Sequence, residues 1–208
     1  MSDLAQDRGE PRWIRDGLRL WFTEIRLLFV TLWTFVTAPR RFGAEWASGK
    51  LVAMNPVGVV LASATVLLPA DYGLQRVLGW DRRPNVSVWI ELARASRPYL
   101  FAALTGLVVH LVLRALGSRR LLSTTVGLLF YGIVLSWVLW CVGLVVCYFT
   151  GAGSAVPNIL TFLTLGWVAV AFDGAHGIRW WWCACVLAVI GYGLIFGINA
   201  VMGHAGLT

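Results

Sequence analysis

Residues 123–149 form a long apolar segment that no charged side chain interrupts. A helix of this length in a soluble protein carries a polar face, whereas a helix that crosses the hydrocarbon core of a bilayer needs about 20 predominantly apolar residues. The segment is long enough to cross a membrane with some tilt. It predicts a membrane protein whose backbone hydrogen bonds are satisfied inside helices.

Four more segments have the same character, and they cover about residues 55–78, 98–116, 156–173 and 179–202. The composition agrees, because 59% of the residues are hydrophobic and only 13% are charged, against about a quarter charged in a soluble domain. We therefore expect an all-α fold, a polytopic transmembrane helical bundle of about five spans. This bundle occupies residues 54–208, and residues 1–53 form a separate N-terminal region.

The N-terminal region contains an amphipathic segment over residues 11–38. Its apolar residues recur every three or four positions between Trp13 and Phe35, and arginines occupy the other face. The uncharged part, residues 27–38, is too short to cross a bilayer. We expect a helix that lies in the membrane interface, and a tilted sixth span over residues 20–38 is the alternative.

The basic residues predict the orientation of the bundle. Cytoplasmic loops carry an excess of arginine and lysine, and counting these residues on each side favours a cytoplasmic N-terminus. The arginine-rich composition is typical of a GC-rich bacterial genome, which indicates an inner membrane. Since the basic residues lie at the edges of the spans and meet lipid headgroups there, we expect membrane lipids and no nucleic acid as partners.

Ionisable residues inside the spans or at their ends are the candidate functional residues, because charge in lipid is seldom kept without a use. They are Asp71, His110, Arg114, Asp173 and His176. Arg114 follows His110 by one helical turn, and together with Asp71 they suggest a hydrated path. Asp173 and His176 suggest a metal or proton site, whereas the simpler interpretation places both at the water boundary.

The sequence lacks the residue patterns that metal binding, phosphate binding and nucleophilic catalysis require. A metal site needs three or four ligands, and no second pair of histidines or carboxylates completes one. The sequence has no glycine-rich phosphate loop and no nucleophile motif. We expect no catalytic residue, no cofactor and no metal.

Small residues at helical spacing predict faces where helices approach closely. Ala102 and Gly106 form one such face in the second span, and Gly193 and Gly197 form another in the fifth. These faces serve packing within the chain or between copies of it, and the spacing does not separate the two.

The approach to the first span carries the residues Phe35-Val36-Thr37-Ala38-Pro39, the aromatic Phe42 and Trp46, and then Asn55-Pro56. With these residues, an amphipathic N-terminal helix and five closely spaced spans, the chain resembles the YIP family of membrane proteins. The resemblance is architectural and covers most of the chain. It implies a non-enzymatic helical membrane protein that works through partners, and it brings no catalytic residues.

These observations favour a non-enzymatic inner-membrane protein that is a structural or accessory subunit of a membrane complex, with another membrane protein or a second copy as its partner. The alternative is a small transporter or channel, with a polar path near Asp71, His110 and Arg114.

Overall fold

The computed structural model of the chain describes residues 12–51, 53–79, 88–151, 153 and 155–204, and within them the side chains of 19–51, 53–79, 99–151, 153, 155–191 and 193. Over these residues the chain is helical and has no strand, which confirms the expected all-α class. The helices are α1 (Arg12–Thr37), α2 (Pro39–Ala47), α3 (Pro56–Val77), α4 (Val88–Ala115), α5 (Leu122–Thr150), α6 (Ala155–His176) and α7 (Trp180–His204).

Local signals in the sequence explain several helix ends. The side chain of Asn55 accepts a hydrogen bond of 2.7 Å from the backbone N–H of Gly58, so it caps α3. Pro39 lies at the first position of α2, where its fixed φ suits a helix and its missing N–H is harmless. Gly151 ends α5 with φ +68°, a left-handed conformation that favours glycine.

Four helices within the described residues are long and apolar enough to cross a membrane: Arg19–Thr37, Pro56–Val77, Leu122–Thr150 and Ala155–His176. The chain thus has the helices expected of a membrane protein. The apolar parts of α4 and α7 over the described residues, Tyr99–Ala115 and Trp180–Gly191, are shorter. The number of five spans stays a prediction.

Helix α5 lies at the centre, and contacts along it give the direction of its neighbours. Gly127 lies against Pro56 near the start of α3, and Trp140 bonds to Asp71 near its end, so α3 runs parallel to α5. Helices α4 and α6 run antiparallel to α5, since His110 and His176, near the ends of those helices, both meet Thr125 near its start.

One end of the bundle, which we call the basic end, therefore contains the starts of α3 and α5 and the ends of α4 and α6. Helix α2 lies there too, because Arg120, in the connector before α5, bonds to the carbonyl of Ala47. The described basic residues at or next to this end are Arg40, Arg41, Lys50, Arg114, Arg119, Arg120 and Arg179.

Helix α2 packs directly on the C-terminal half of α6. A Cβ added at Gly43 would overlap the backbone carbonyl of Ala171, and one added at Gly174 would overlap the carbonyl of Arg40. The two backbones touch because both helices have glycine at the crossing. Small residues allow this close approach of helices in membranes.

A cluster of buried and half-buried aromatic rings joins the N-terminal helices to α5. Phe35, Phe42 and Trp46 all pack on Tyr131, with ring centroids 6.2, 5.0 and 5.6 Å from it. The Tyr131 hydroxyl donates a 2.6 Å hydrogen bond to the carbonyl of Met54. The cluster fixes α1 and α2 against the bundle beside the start of α3.

Candidate functional site

A group of buried polar side chains lies at the basic end, between α4, α5 and α6. It consists of His110, Ser118, Thr125 and His176, and we call it the histidine cluster. All four side chains are buried. Buried polar side chains are nearly always hydrogen-bonded, so partners for these four are expected within the protein.

The hydrogen bonds of the histidine cluster form one continuous chain. The Oγ of Ser118 lies 2.7 Å from Nδ1 of His176, and Nε2 of the same ring lies 3.3 Å from Oγ1 of Thr125. Oγ1 of Thr125 in turn lies 3.0 Å from Nδ1 of His110. The threonine hydroxyl therefore connects two histidines from different helices.

One assignment of protons satisfies every one of these bonds with both imidazoles neutral. The backbone N–H of Arg120 lies 3.3 Å from Oγ of Ser118 and donates to it. Ser118 then donates to Nδ1 of His176, Nε2–H of His176 donates to Thr125, and Thr125 donates to Nδ1 of His110. This order uses each hydroxyl once as donor, and no carboxylate contributes to it.

The guanidinium of Arg120 holds the neighbouring helix ends together. Its Nε donates to the carbonyl of Ala175 at 3.0 Å, and its Nη1 donates to the carbonyl of Ala47 at 3.2 Å. Both carbonyls lie at helix C-termini, where a cation also interacts favourably with the helix dipole. Arg120 thus joins α2 and α6 next to the histidine cluster.

The other predicted polar residues lie apart from this cluster. Asp173 pairs with Arg40 of α2 at 3.3 Å and does not share a partner with His176. Asp71 accepts hydrogen bonds from Trp140 at 2.9 Å and from Gln75 at 2.7 Å. The side chain of Arg114 is exposed.

The structure does not bring together Asp71 and His110, two residues of the predicted hydrated path. Asp71 meets α5 at Trp140 and His110 meets it at Thr125, and a rise of about 1.5 Å per residue separates these two positions by about 22 Å. Each of the two side chains has its own internal partners. We find no contact that connects them among the described residues.

A Ser–His hydrogen bond is also the first step in activating a nucleophile, and the cluster contains one in Ser118 and His176. Activation requires a third group that orients the base, and here the second ring nitrogen faces a threonine hydroxyl. Two cavities occur among the described residues, one between α4, α5, α6 and α7 and one beside Pro39 and Trp167, and neither is lined by Ser118 or His176. The described residues contain no group of three or more His, Cys, Asp or Glu side chains that would hold a metal ion.

Sequence reasoning singled out both histidines but not their connection. It missed Ser118 and Thr125, whose only signal was a hydroxyl close to an apolar span.

The small-residue faces differ in their surroundings. Gly106 lies against Val126 and Leu129 of α5, whereas a Cβ added at Gly193 would meet nothing within 4 Å. The side chain of residue 197 lies outside the described residues.

We compared the chain with protein-family profiles, with curated proteins and with solved structures, and none of them matches. The resemblance to the YIP family stays a prediction from the sequence.

Proposed function

We propose that this chain is a non-enzymatic protein of a bacterial inner membrane that acts as a structural or accessory subunit of a membrane complex. The observation that carries the proposal is the internal pairing of its polar side chains. His110, His176, Asp71 and Asp173 all bond to neighbouring helices of the same chain. Polar groups used in this way stabilise a scaffold and are not available to a substrate.

The outer surface of the bundle supports the same proposal. Large apolar side chains are exposed on most of the described helices, including Trp33 of α1, Leu61 of α3, Phe149 of α5 and Val189 of α7. In a membrane such side chains face either lipid or another protein. A subunit uses one of these faces for its partner and leaves the others to lipid.

The basic end supports a cytoplasmic position for that side of the bundle. It brings together Arg114, Arg119, Arg120 and Arg179 from segments that are distant in sequence, while α3 brings Arg76 to the other end. An excess of arginine and lysine is typical of the cytoplasmic side. With α1 in the interface, the N-terminus lies on the cytoplasmic side as well.

The transporter interpretation has no comparable support. Asp71 and His110, which would line its path, are about 22 Å apart along α5 by the helical rise, and each is bonded to its own partner within the chain. Arg114 is exposed and does not join them.

Site-specific photo-crosslinking in cells tests the proposal. A photoreactive phenylalanine analogue is placed in turn at Trp33, Leu61, Phe149 and Val189, which are exposed on four different helices. We expect one position to give a discrete adduct heavier than the chain and the other three to give none. The same probe at Phe35, which is fully buried, is the control and should give no adduct with another protein.

Mass spectrometry of the adduct identifies the partner, and native sizing of the gently extracted protein checks its stoichiometry. A second copy of the chain in the adduct would make the protein a homo-oligomeric scaffold. The proposal is wrong if none of the four positions gives a protein adduct and the extracted protein has only its own mass.

A further inference from the structure

A cavity of about 670 Å³ lies between α4, α5, α6 and α7, away from the histidine cluster. Its volume falls within the range of about 300–1,000 Å³ that is typical of small-molecule sites. Its walls are mostly apolar, and three of the α6 residues that line it, Ile159, Phe162 and Leu163, are also exposed on the outer surface. The cavity therefore opens sideways, toward the apolar layer of the membrane.

Two hydroxyl groups in the cavity wall have no hydrogen-bond partner among the described residues. Thr105 of α4 is only 5% exposed, and its Oγ1 has no partner. The Oγ1 of Thr161, on α6, is buried and unpartnered as well. Two other hydroxyls in the same wall, those of Ser136 and Thr164, show the usual arrangement, because their oxygens lie 2.7 Å apart and form a hydrogen bond.

Unpartnered hydroxyls are unfavourable at this depth, because a buried polar group without a hydrogen bond costs about 1–3 kcal/mol. Thr105 lies 17 residues after Val88, where α4 begins, and Thr161 lies six residues after Ala155, where α6 begins. By the helical rise, Thr105 is about 26 Å and Thr161 about 9 Å from the start of its helix. A molecule bound in the cavity would supply the partner that both hydroxyls lack.

The lining of the cavity defines the chemistry of that molecule. No charged side chain contributes to it, and a charged group would be costly there. The unpartnered groups in the cavity wall are the hydroxyls of Thr105 and Thr161, and a hydroxyl donates well to a carbonyl oxygen. The opening toward lipid requires a molecule that is dissolved in the membrane.

We propose that this cavity binds an uncharged lipid whose carbonyl oxygens accept hydrogen bonds from Thr105 and Thr161. Two kinds of membrane molecule have this chemistry, namely quinones with a hydrocarbon tail and diacylglycerols. The site is independent of the accessory role, since it lies inside the chain and does not require a partner protein.

Native mass spectrometry of the full chain in phosphatidylcholine nanodiscs measures this binding directly. Decylubiquinone and dioctanoylglycerol are titrated in separate experiments, and the number of adducts per chain is counted. We expect one of them to bind saturably with one molecule per chain. The probe that binds identifies the source of the carbonyl group.

A cavity-filling substitution with a matched control locates the site. A Cβ added at Gly191, which lines the cavity, or at Gly193, which does not, would meet nothing within 4 Å. Gly191→Leu therefore adds a bulky side chain at the cavity wall with no clash at its Cβ, and we expect at least tenfold weaker binding. Gly193→Leu makes the same change on the same helix outside the cavity, and binding should stay as in the native chain.

Thr105→Val tests the hydrogen bond separately, because valine has nearly the shape of threonine without the hydroxyl. We expect roughly three- to tenfold weaker binding, the effect of losing one hydrogen bond. The thermal stability of the lipid-free protein should stay equal or rise, because an unsatisfied hydroxyl is removed. A merely structural threonine would instead lower stability and leave binding unchanged.

Two results would overturn the proposal. One is that neither probe gives a saturable adduct with the native chain. The other is that Gly191→Leu and Gly193→Leu bind a probe equally well, since the bound molecule would then lie outside the cavity.

Discussion

The imidazole Nδ1 of His176 lies 2.7 Å from the hydroxyl oxygen of Ser118, although 58 positions separate the two residues in the chain. Ser118 lies in the turn between α4 and α5, and His176 is the last residue of α6. The bond therefore joins the end of α6 to the turn that connects its neighbours. Thr125 extends the connection to His110, so three helices share one line of hydrogen bonds.

Thr125→Val should destabilise the protein, because the hydroxyl that joins both histidines is lost while the shape of the side chain is kept. His110 and His176 would each lose a partner in a buried site. We expect the free energy of unfolding in detergent to fall by about 1–2 kcal/mol. Thermal unfolding followed by circular dichroism measures the change.

Thr65→Val is the matched control for that substitution. Thr65 is exposed on α3, and its hydroxyl bonds only to the carbonyl of Ala62 in its own helix. The change should alter stability by less than about 0.5 kcal/mol. Equal effects of the two substitutions would show that the histidine cluster does not contribute to stability.

Gly174→Ala should destabilise the protein, whereas the same change at Gly166, also in α6, should not. A methyl group at Gly174 overlaps the backbone carbonyl of Arg40, so α2 must move away, and overpacking of this kind costs about 1–3 kcal/mol. At Gly166 a Cβ meets nothing within 4 Å. Gly166→Ala should therefore be neutral or stabilise the helix by up to about 1 kcal/mol. Paired melting curves of the two variants test this difference.

Asp173→Asn should have only a small effect, although Asp173 forms an ion pair with α2. The side chain of Arg40 is 73% exposed and that of Asp173 is 15% exposed, so water and salt screen the pair. We expect a loss of less than about 1 kcal/mol, which disappears in high salt. A loss well above about 1 kcal/mol that falls in high salt would show that the ion pair, rather than the glycine contact, holds α2 in place.

The helices of this bundle were predictable where a local rule fixes them. The predicted first span, 55–78, agrees closely with α3 because Asn55 caps its start. The predicted second span, 98–116, begins ten residues later than α4, which starts at Val88. Hydropathy detects only the apolar part of a helix. The residues before position 98 are polar, so the first turns of α4 were not predicted as part of the span.

The candidate site was less predictable, because its partners come from distant parts of the chain. His110 and His176 stand out as ionisable residues near apolar spans, but nothing in their spacing indicates that Thr125 lies between them. The contact of α2 with α6 depends on Gly43 and Gly174, which have no distinctive sequence pattern. Only the packing of the helices brings such pairs together.

The position of α1 is the expectation with the widest consequences, because a span there would reverse the side on which the N-terminus lies. The segment Arg19–Thr37 is long and apolar enough to cross a membrane. However, Glu24 and Arg26 are both exposed on it. In a span these charges would face lipid about 7–11 Å beyond Arg19 by the helical rise, where they are costly. A helix in the interface keeps them among the headgroups.

Cysteine labelling decides between the two positions. Thr23→Cys, Lys50→Cys and Gly153→Cys are introduced separately after the four native cysteines are replaced by alanine. All three positions are exposed, with Lys50 near the basic end and Gly153 at the other. An impermeant maleimide should label Thr23→Cys and Lys50→Cys in inside-out vesicles and Gly153→Cys in right-side-out vesicles. Helix α1 ends beside α2 at the basic end. Labelling of Thr23→Cys from the same side as Gly153→Cys would therefore make α1 a span and place the N-terminus outside the cytoplasm.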